Sequence, residues 1–365
     1  MSIARGVQDM IFAIKTKVIS IIKNPIYAIG LIVMLVFLYM QCGSYLNINY
    51  MPDNSQIMPV DREMLGDVDV MDGYIPMTEE EYFNEKMNHL RDDLIENVGM
   101  DEKKANELID TALNMDQHDA MEYLEKECQF MANIHGYFSS GNGIKLGTVT
   151  EINKYIFEAL DREDYMDYLG RKYIDYLGTI FAFFCIIIYP FYYAYDSKKD
   201  IYELLHTKPI SSKKYIVTQV LGGFLVGILA AVVITLIAQG FLFFIKDRFD
   251  FAISTAKIWK YTLWEMIPAI IYISSVFLFF SILFKTPLPA IPFIFIQILY
   301  SNSGVTSANG SFIYKHRIGS IMIRYPELFF ETHLSENFYV NQLFLLALGV
   351  IVMLTSVVLW EKKRG

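Results

Sequence analysis

Six stretches of the chain are nearly free of polar side chains: Ile26–Met40, about Tyr176–Tyr195, Ile216–Ile245, Leu263–Phe284, Leu288–Tyr300 and Leu343–Trp360. Lipid offers a bare backbone no hydrogen-bond partner, so such runs close their bonds internally as helices. A full crossing takes ~20 residues at 1.5 Å rise. Four runs meet this, and the first does once Tyr27 to Ser44 is counted. The fifth is short and carries Pro289 and Pro292 behind Pro287, so it reads as a span with an irregular start. The expected fold is an α-helical polytopic membrane protein with six transmembrane helices, at 26–42, 176–195, 216–245, 263–284, 288–303 and 339–361. The leader before the first run is too long for a signal peptide, and Gln41 before Cys42 does not fit a lipoprotein site.

The polar stretches between the runs have patterns of their own. Ile3, Val7, Met10, Ile11, Ile14, Val18, Ile21 and Ile22 recur at helical spacing, with Lys15, Lys17 and Lys23 mostly on other faces. Residues 1–25 therefore read as an interfacial helix on lipid, ended by Asn24-Pro25. Residues 43–175 read as a mainly helical extracellular domain. Thr78 with Glu81 makes a capping box for a helix over about Glu79–Val98, ended by Gly99. Asp101 caps a second helix to about Asn114, and Asp116 a third through about Phe130. A fourth is expected from Thr150 through Leu160, and a last from about Asp164 into the second span. Pro52, Pro59 and Gly66 make 47–75 irregular or short-stranded, and 304–338 is a second long polar stretch.

Charge orients this layout. With the N-terminus inside, the short cytoplasmic segments hold 13 Lys and Arg and the short outer loops 7, which favours both termini inside. Segment 43–175 holds 29 of the 40 acidic residues and 11 of the 31 basic ones, a net −18 within a chain of net −9. An acidic chain is a poor partner for nucleic acid, and 54% hydrophobic content excludes disorder.

The loop 196–215 is the most informative polar stretch. It runs Asp196-Ser197-Lys198-Lys199-Asp200-Ile201-Tyr202-Glu203-Leu204-Leu205-His206-Thr207-Lys208-Pro209-Ile210-Ser211-Ser212-Lys213-Lys214-Tyr215. Asp196 or Ser197 caps a short helix with Ile201, Leu204 and Leu205 on its apolar face, and Pro209 ends it. This stretch resembles the loop of ABC-2 type export permeases, where an acidic, Leu-Leu-containing helix precedes a Pro-Ile-Ser-x-x-x-Tyr turn. Lys23-Asn24-Pro25, Tyr168-Leu169 and Tyr176-Leu177-Gly178 look like the same family, as does the six-span layout. The resemblance implies that Asp196, Asp200, Ile201, Glu203, Leu204 and Leu205 couple the chain to a cytoplasmic ABC ATPase subunit, with Pro209, Ile210 and Ser211 as the following turn. It further implies a second permease (identical or related), an outer re-entrant region at 304–338, and a bacterial plasma membrane. No Gly-x-x-x-x-Gly-Lys-Ser/Thr run is present; Gly141-Asn142-Gly143-Ile144-Lys145 is a weak look-alike. ATP and Mg²⁺ are therefore expected in the partner subunit, and this chain is not expected to be an enzyme.

Other chemistry is weakly signalled, and no catalytic, cofactor or metal residue is assigned. His89, His118 and His135 lack a second ligand at metal spacing. Asp67-x-Asp69-x-x-Asp72-Gly73 is a partial echo of a Ca²⁺ loop. Cys42 and Cys128 would share the outer side, with no distance readable between them. Within the spans, Glu265 and Gln239 are candidate pathway groups, although Glu265 near the start of span four also suits an interfacial position. Gly223-x-x-x-Gly227 reads as close helix packing, or more sharply as a dimer contact. The leading expectation is a permease subunit forming half of an ATP-driven export path. The alternative is a membrane-anchored sensor whose acidic domain binds a cationic peptide or protein.

Overall fold

The computed structural model describes residues 12, 14–53, 57, 68–128, 134, 138, 143–197, 211–306, 312–314 and 316–364. Five of its helices are long and apolar enough to cross a membrane: α1 (Pro25–Cys42), α6 (Tyr165–Ala194), α7 (Ser212–Ile245), α8 (Ile258–Phe284) and α10 (Phe338–Arg364). Between α1 and α6 lie α2 (Glu79–Glu96), α3 (Glu102–Leu113), α4 (Gln117–Glu127) and α5 (Val149–Arg162). The fifth apolar run forms only α9, Ala290–Ser301, whose 12 residues reach about 18 Å at helical rise. That is well short of a ~30 Å hydrocarbon core. Leu288 and Pro289 form a turn ahead of it, because Pro287 and Pro289 lack the N–H groups a longer helix needs.

Helix ends follow the local chemistry. Asn24 Oδ1 accepts the Ile26 N–H, and Pro25 opens α1 where its missing N–H costs nothing. Thr78 and Glu81 form the expected capping box of α2. Gly99 ends that helix in the left-handed region, φ 75°, while the Met100 N–H bonds the Leu94 carbonyl. Asp101 and Asp116 cap α3 and α4. The fourth outer helix begins earlier than expected. Its cap is Thr148, boxed with Glu151, so Thr150 lies inside the first turn.

Two short strands, β1 (Tyr74–Pro76) and β2 (Ile144–Leu146), pair antiparallel, with Lys145 at the centre of the ladder opposite Ile75 and Thr78 and Thr148 following at its two ends. Lys145 then bonds Glu81 at 2.7 Å and reaches Glu151 at 3.6 Å, clasping both capping boxes. Beyond this clasp α2–α4 enclose a separate core that includes Leu90, Leu94, Ile109 and Leu124. The buried face of α5, with Ile152, Ile156 and Ala159, instead joins the core of the long helices. So does the start of α6, which runs unbroken from Tyr165. The expected domain boundary at 175 therefore moves back to about 164.

The long helices alternate in direction until α8. Tyr27 on α1 meets Phe184 on α6 and donates to the Val226 carbonyl on α7, and Ser274 on α8 bonds the Val220 carbonyl. Helices α8 and α10 run parallel. Trp264 meets Tyr339 near their starts, and Lys363 bonds the Ile282 and Leu283 carbonyls at their ends. One end of the bundle thus carries residues 14–22, the turn Tyr195–Ser197, the start of α7 and the end of α10. The other carries the polar domain. A second hairpin, β3 (Gly304–Thr306) with β4 (Phe312–Tyr314), follows α9. Residues 320–332 then run as an irregular strap into the core, ending in a short 3₁₀ turn at Phe329–Glu331.

Candidate functional site

The site nearest to the sequence expectation is the root of the loop 196–215. Helix α6 ends at Ala194 and passes into a 3₁₀ turn, Tyr195–Ser197. Asp200, Ile201, Glu203, Leu204, Leu205, Pro209 and Ile210 lie outside the described residues. Asp196 and Ser211 are described. Asp196 pairs with Lys17 Nζ at 3.0 Å and accepts from the Tyr215 hydroxyl at 3.1 Å. Lys17 also donates to Gln219 Oε1 at 2.6 Å and stands 4.2 Å above the Tyr192 ring. Tyr215 stacks on Trp360, ring centroids 4.2 Å apart. One lysine from the N-terminal helix therefore ties the exit of α6 to the first turns of α7, and Trp360 of α10 closes the set. Burial lowers the Lys17 pKa, and Asp196 opposes that shift.

Around this root, α7 is shaped to receive tyrosines. The Tyr189 hydroxyl donates to the Gly223 carbonyl and the Tyr192 hydroxyl to the Gln219 carbonyl. A methyl on Gly222 would overlap the Tyr192 hydroxyl. One on Gly223 would overlap Tyr193 and Ser274. Gly227 faces Tyr189, Ile270 and Phe181. The surfaces of Gly223 and Gly227 are thus filled from within this chain, and they act as packing positions. Gln239 accepts from Trp259 Nε1 at 2.8 Å, which ties α7 to the start of α8.

A second polar cluster lies toward the domain end, on α6, α8 and the strap. Arg171, Lys172 and Asp175 on α6 are each 1% exposed, as is Glu265 on α8. Arg171 pairs with Glu163 and bonds Thr332, and Arg324 of the strap pairs with Asp175. Lys172 donates to the Pro326 and Glu327 carbonyls at 2.6 and 2.7 Å. The N–H groups of alternate strap residues go to side chains: Ile321 to Ser301 Oγ, Ile323 to Glu265 Oε1 and Tyr325 to Asp175 Oδ2. Further along, Phe329 N–H goes to Asp69. Glu265 is thus fully buried against the strap, which folds back into the bundle at its level.

Asp69 and Asp72 form a capping box on a short 3₁₀ helix, Val70–Asp72. Among the described residues no group of three or more His, Cys, Asp and Glu is placed to hold a metal. Cys42, Cys128 and Cys185 are buried free thiols; Cys42 lies in the bundle core and Cys128 in that of α2–α4.

No family model, no curated protein and no solved structure matches the chain.

Sequence reasoning missed Lys17, Gln219 and the α6 charges. Lys17 read only as a lipid-facing lysine, and Arg171-Lys172-x-x-Asp175 fell inside the stretch assigned to the polar domain. A signal was present: two cations and a carboxylate directly abutting an apolar run are costly there unless paired.

Proposed function

We propose that the chain is the membrane subunit of an ATP-driven ABC exporter, with the 196–215 loop as the element that receives force from a separate ATPase. The observation that carries this reading is the loop's root. A segment that transmits a push must be fastened at both ends, or the push is lost in local bending. Here Asp196 before the loop and Tyr215 after it are bonded to each other, and Lys17 binds both Asp196 and Gln219. The described ends of the loop lie with residues 14–22 and the end of α10, opposite the acidic domain. In the proposed arrangement that end is cytoplasmic, and the acidic domain lies outside. Two such chains enclose the path. The ATPase subunits bind ATP and Mg²⁺, close, and bias the bundle between two states.

Co-purification of an ABC ATPase with the membrane-embedded chain, followed by vanadate-sensitive ATPase activity of the pair in proteoliposomes, tests the reading; a chain that retains no ATPase overturns it. The double variant Leu204→Asp, Leu205→Asp should insert normally and lose substrate-linked ATPase activity. Unchanged activity in that variant would remove the coupling assignment. A chain that binds cationic peptide outside without any ATP dependence would instead favour the membrane-anchored sensor.

A further inference from the structure

The strap 320–325 has no helix or strand partner, yet it is buried: Ser320, Ile321, Met322, Ile323 and Tyr325 are at most 5% exposed. Buried backbone requires pairing. Here Ser301, Glu265 and Asp175 stand where a neighbouring strand would, one side chain for every second N–H. The segment is anchored at its ends by Phe329 and Phe330, buried among Tyr45, Tyr165 and Tyr168, and by Gly319. Gly319 turns in the left-handed region, φ 93°, and its N–H bonds Asn341.

The charges in this cluster do not balance evenly. Arg171 has Glu163, Arg324 has Asp175, and Lys172 sits between Asp175 and Asp69. Glu265 has no cation among the described residues. Its Oε1 takes the Ile323 N–H, while Oε2 is buried with no partner. The groups shown beside it are Asp175 across α6, itself paired with Arg324, then Tyr325 and the backbone of Ile323 on the strap, with Tyr261 one turn earlier on α8. His316, which packs on Tyr325, is kept neutral by burial. Tyr325, one of these neighbours, also has a buried hydroxyl without a partner. A buried carboxylate oxygen that accepts from no group among the described residues lacks one thing, a donor. A proton supplies it without needing a cavity.

We propose that Glu265 is a proton-binding site, and that its protonated form latches the 320–325 strap into the bundle. With the proton on Oε2 the side chain is neutral and still accepts from Ile323. Without it, a bare carboxylate facing Asp175 is relieved only by water, which enters where the strap lies. The inference stands on the strap's geometry and does not depend on the export reading.

The test places a single cysteine at Ile323→Cys in lipid nanodiscs, after Cys42, Cys128 and Cys185 are replaced by serine. Asp69→Asn is included so that the carboxyl that accepts the Phe329 N–H is silent. Modification by a charged thiosulfonate is followed from pH 5.5 to 8.5 and normalised to a cysteine at the exposed Leu113, which removes the ionisation of the thiol itself. The normalised rate should rise about tenfold across this range, stay low throughout in Glu265→Gln, and be high at both ends in Glu265→Ala. An equal rise in Glu265→Gln, no rise with Glu265 present, or full protection in Glu265→Ala would each overturn the latch. Infrared titration of the otherwise native chain decides the matter if a cysteine variant fails to fold. A protonated-carboxyl band lost as pH rises, and absent in Glu265→Gln, supports the site; no such band refutes it.

Discussion

Lys17 and Gly222 show how much at the loop root depends on single side chains. Lys17→Met removes a charged bond to Asp196 and another to Gln219. Hydrogen bonds to charged groups are worth about 2 kcal/mol each, so thermal unfolding in detergent should fall by several degrees, and Lys17→Arg should restore part of it. On the proposed export reading, the same variant reconstituted with its ATPase should weaken coupling between ATP hydrolysis and transport more than it weakens hydrolysis. Gly222→Ala forces a methyl against the Tyr192 hydroxyl, an overpacking cost of about 1–3 kcal/mol. Removing that hydroxyl in Tyr192→Phe should recover stability, so the double variant is less destabilised than the two losses added. Guanidinium melts of the four variants check this. Neither contact was legible in the sequence. Lys17 shares its periodicity with lipid-facing lysines, and a glycine pair on an apolar helix does not say which side chain fills its groove.

The elements outside the bundle were the most legible, because caps are local chemistry. Thr78→Ala and Thr148→Ala should each cost about 1 kcal/mol of helix stability. Hydrogen exchange should then report faster opening in the first turns of α2 and α5. Lys145→Met should loosen both starts together, since one ammonium bridges Glu81 and Glu151. The Thr150 start missed Val149 by one residue because either threonine suits the start of a helix by type. Only the reach of Glu151 back to the Thr148 N–H selects between them.

Strap docking at Phe329 carries its own pH dependence. Burial pushes the Asp69 carboxyl up to about 6, while the Val70 N–H, Lys172 and the Phe329 N–H pull it down. An unfolded Asp titrates near ~3.9, so the folded chain holds this proton more tightly. The contribution is full below about 4 and is lost as pH rises through about 6. Melting temperatures of native chain and Asp69→Asn should therefore converge in their pH trend only when that window is left.

At the scale of the molecule, the parallel run of α8 and α10 constrains the chain between them. If both helices cross the bilayer in the same direction, residues 285–337 must return across it, with α9 and the irregular strap together spanning what one helix normally spans. Single cysteines at Thr286 and Glu336 should then react with impermeant reagent from opposite sides of a sealed vesicle. Reaction from one side would leave five crossings. Irregular backbone at that depth is tolerated only inside protein, and the strap's buried position between α6, α8 and α10 meets that condition.

The sequence by itself determined which segments are apolar enough for lipid, where most outer helices begin and end, and the segregation of a −18 stretch from the rest. These follow from neighbours within a few residues, or from composition summed along a run. Tertiary structure alone decided that Lys17 meets Asp196 across 179 positions, that Glu265 faces a backbone strap 58 positions away, and that the glycines of α7 are filled by tyrosines of α6. The physical reason is one of range. A cap or an apolar run is stabilised by what lies within a turn or two of it. A buried charge is tolerable only beside a partner, and that partner arrives from anywhere in the chain once the helices have packed.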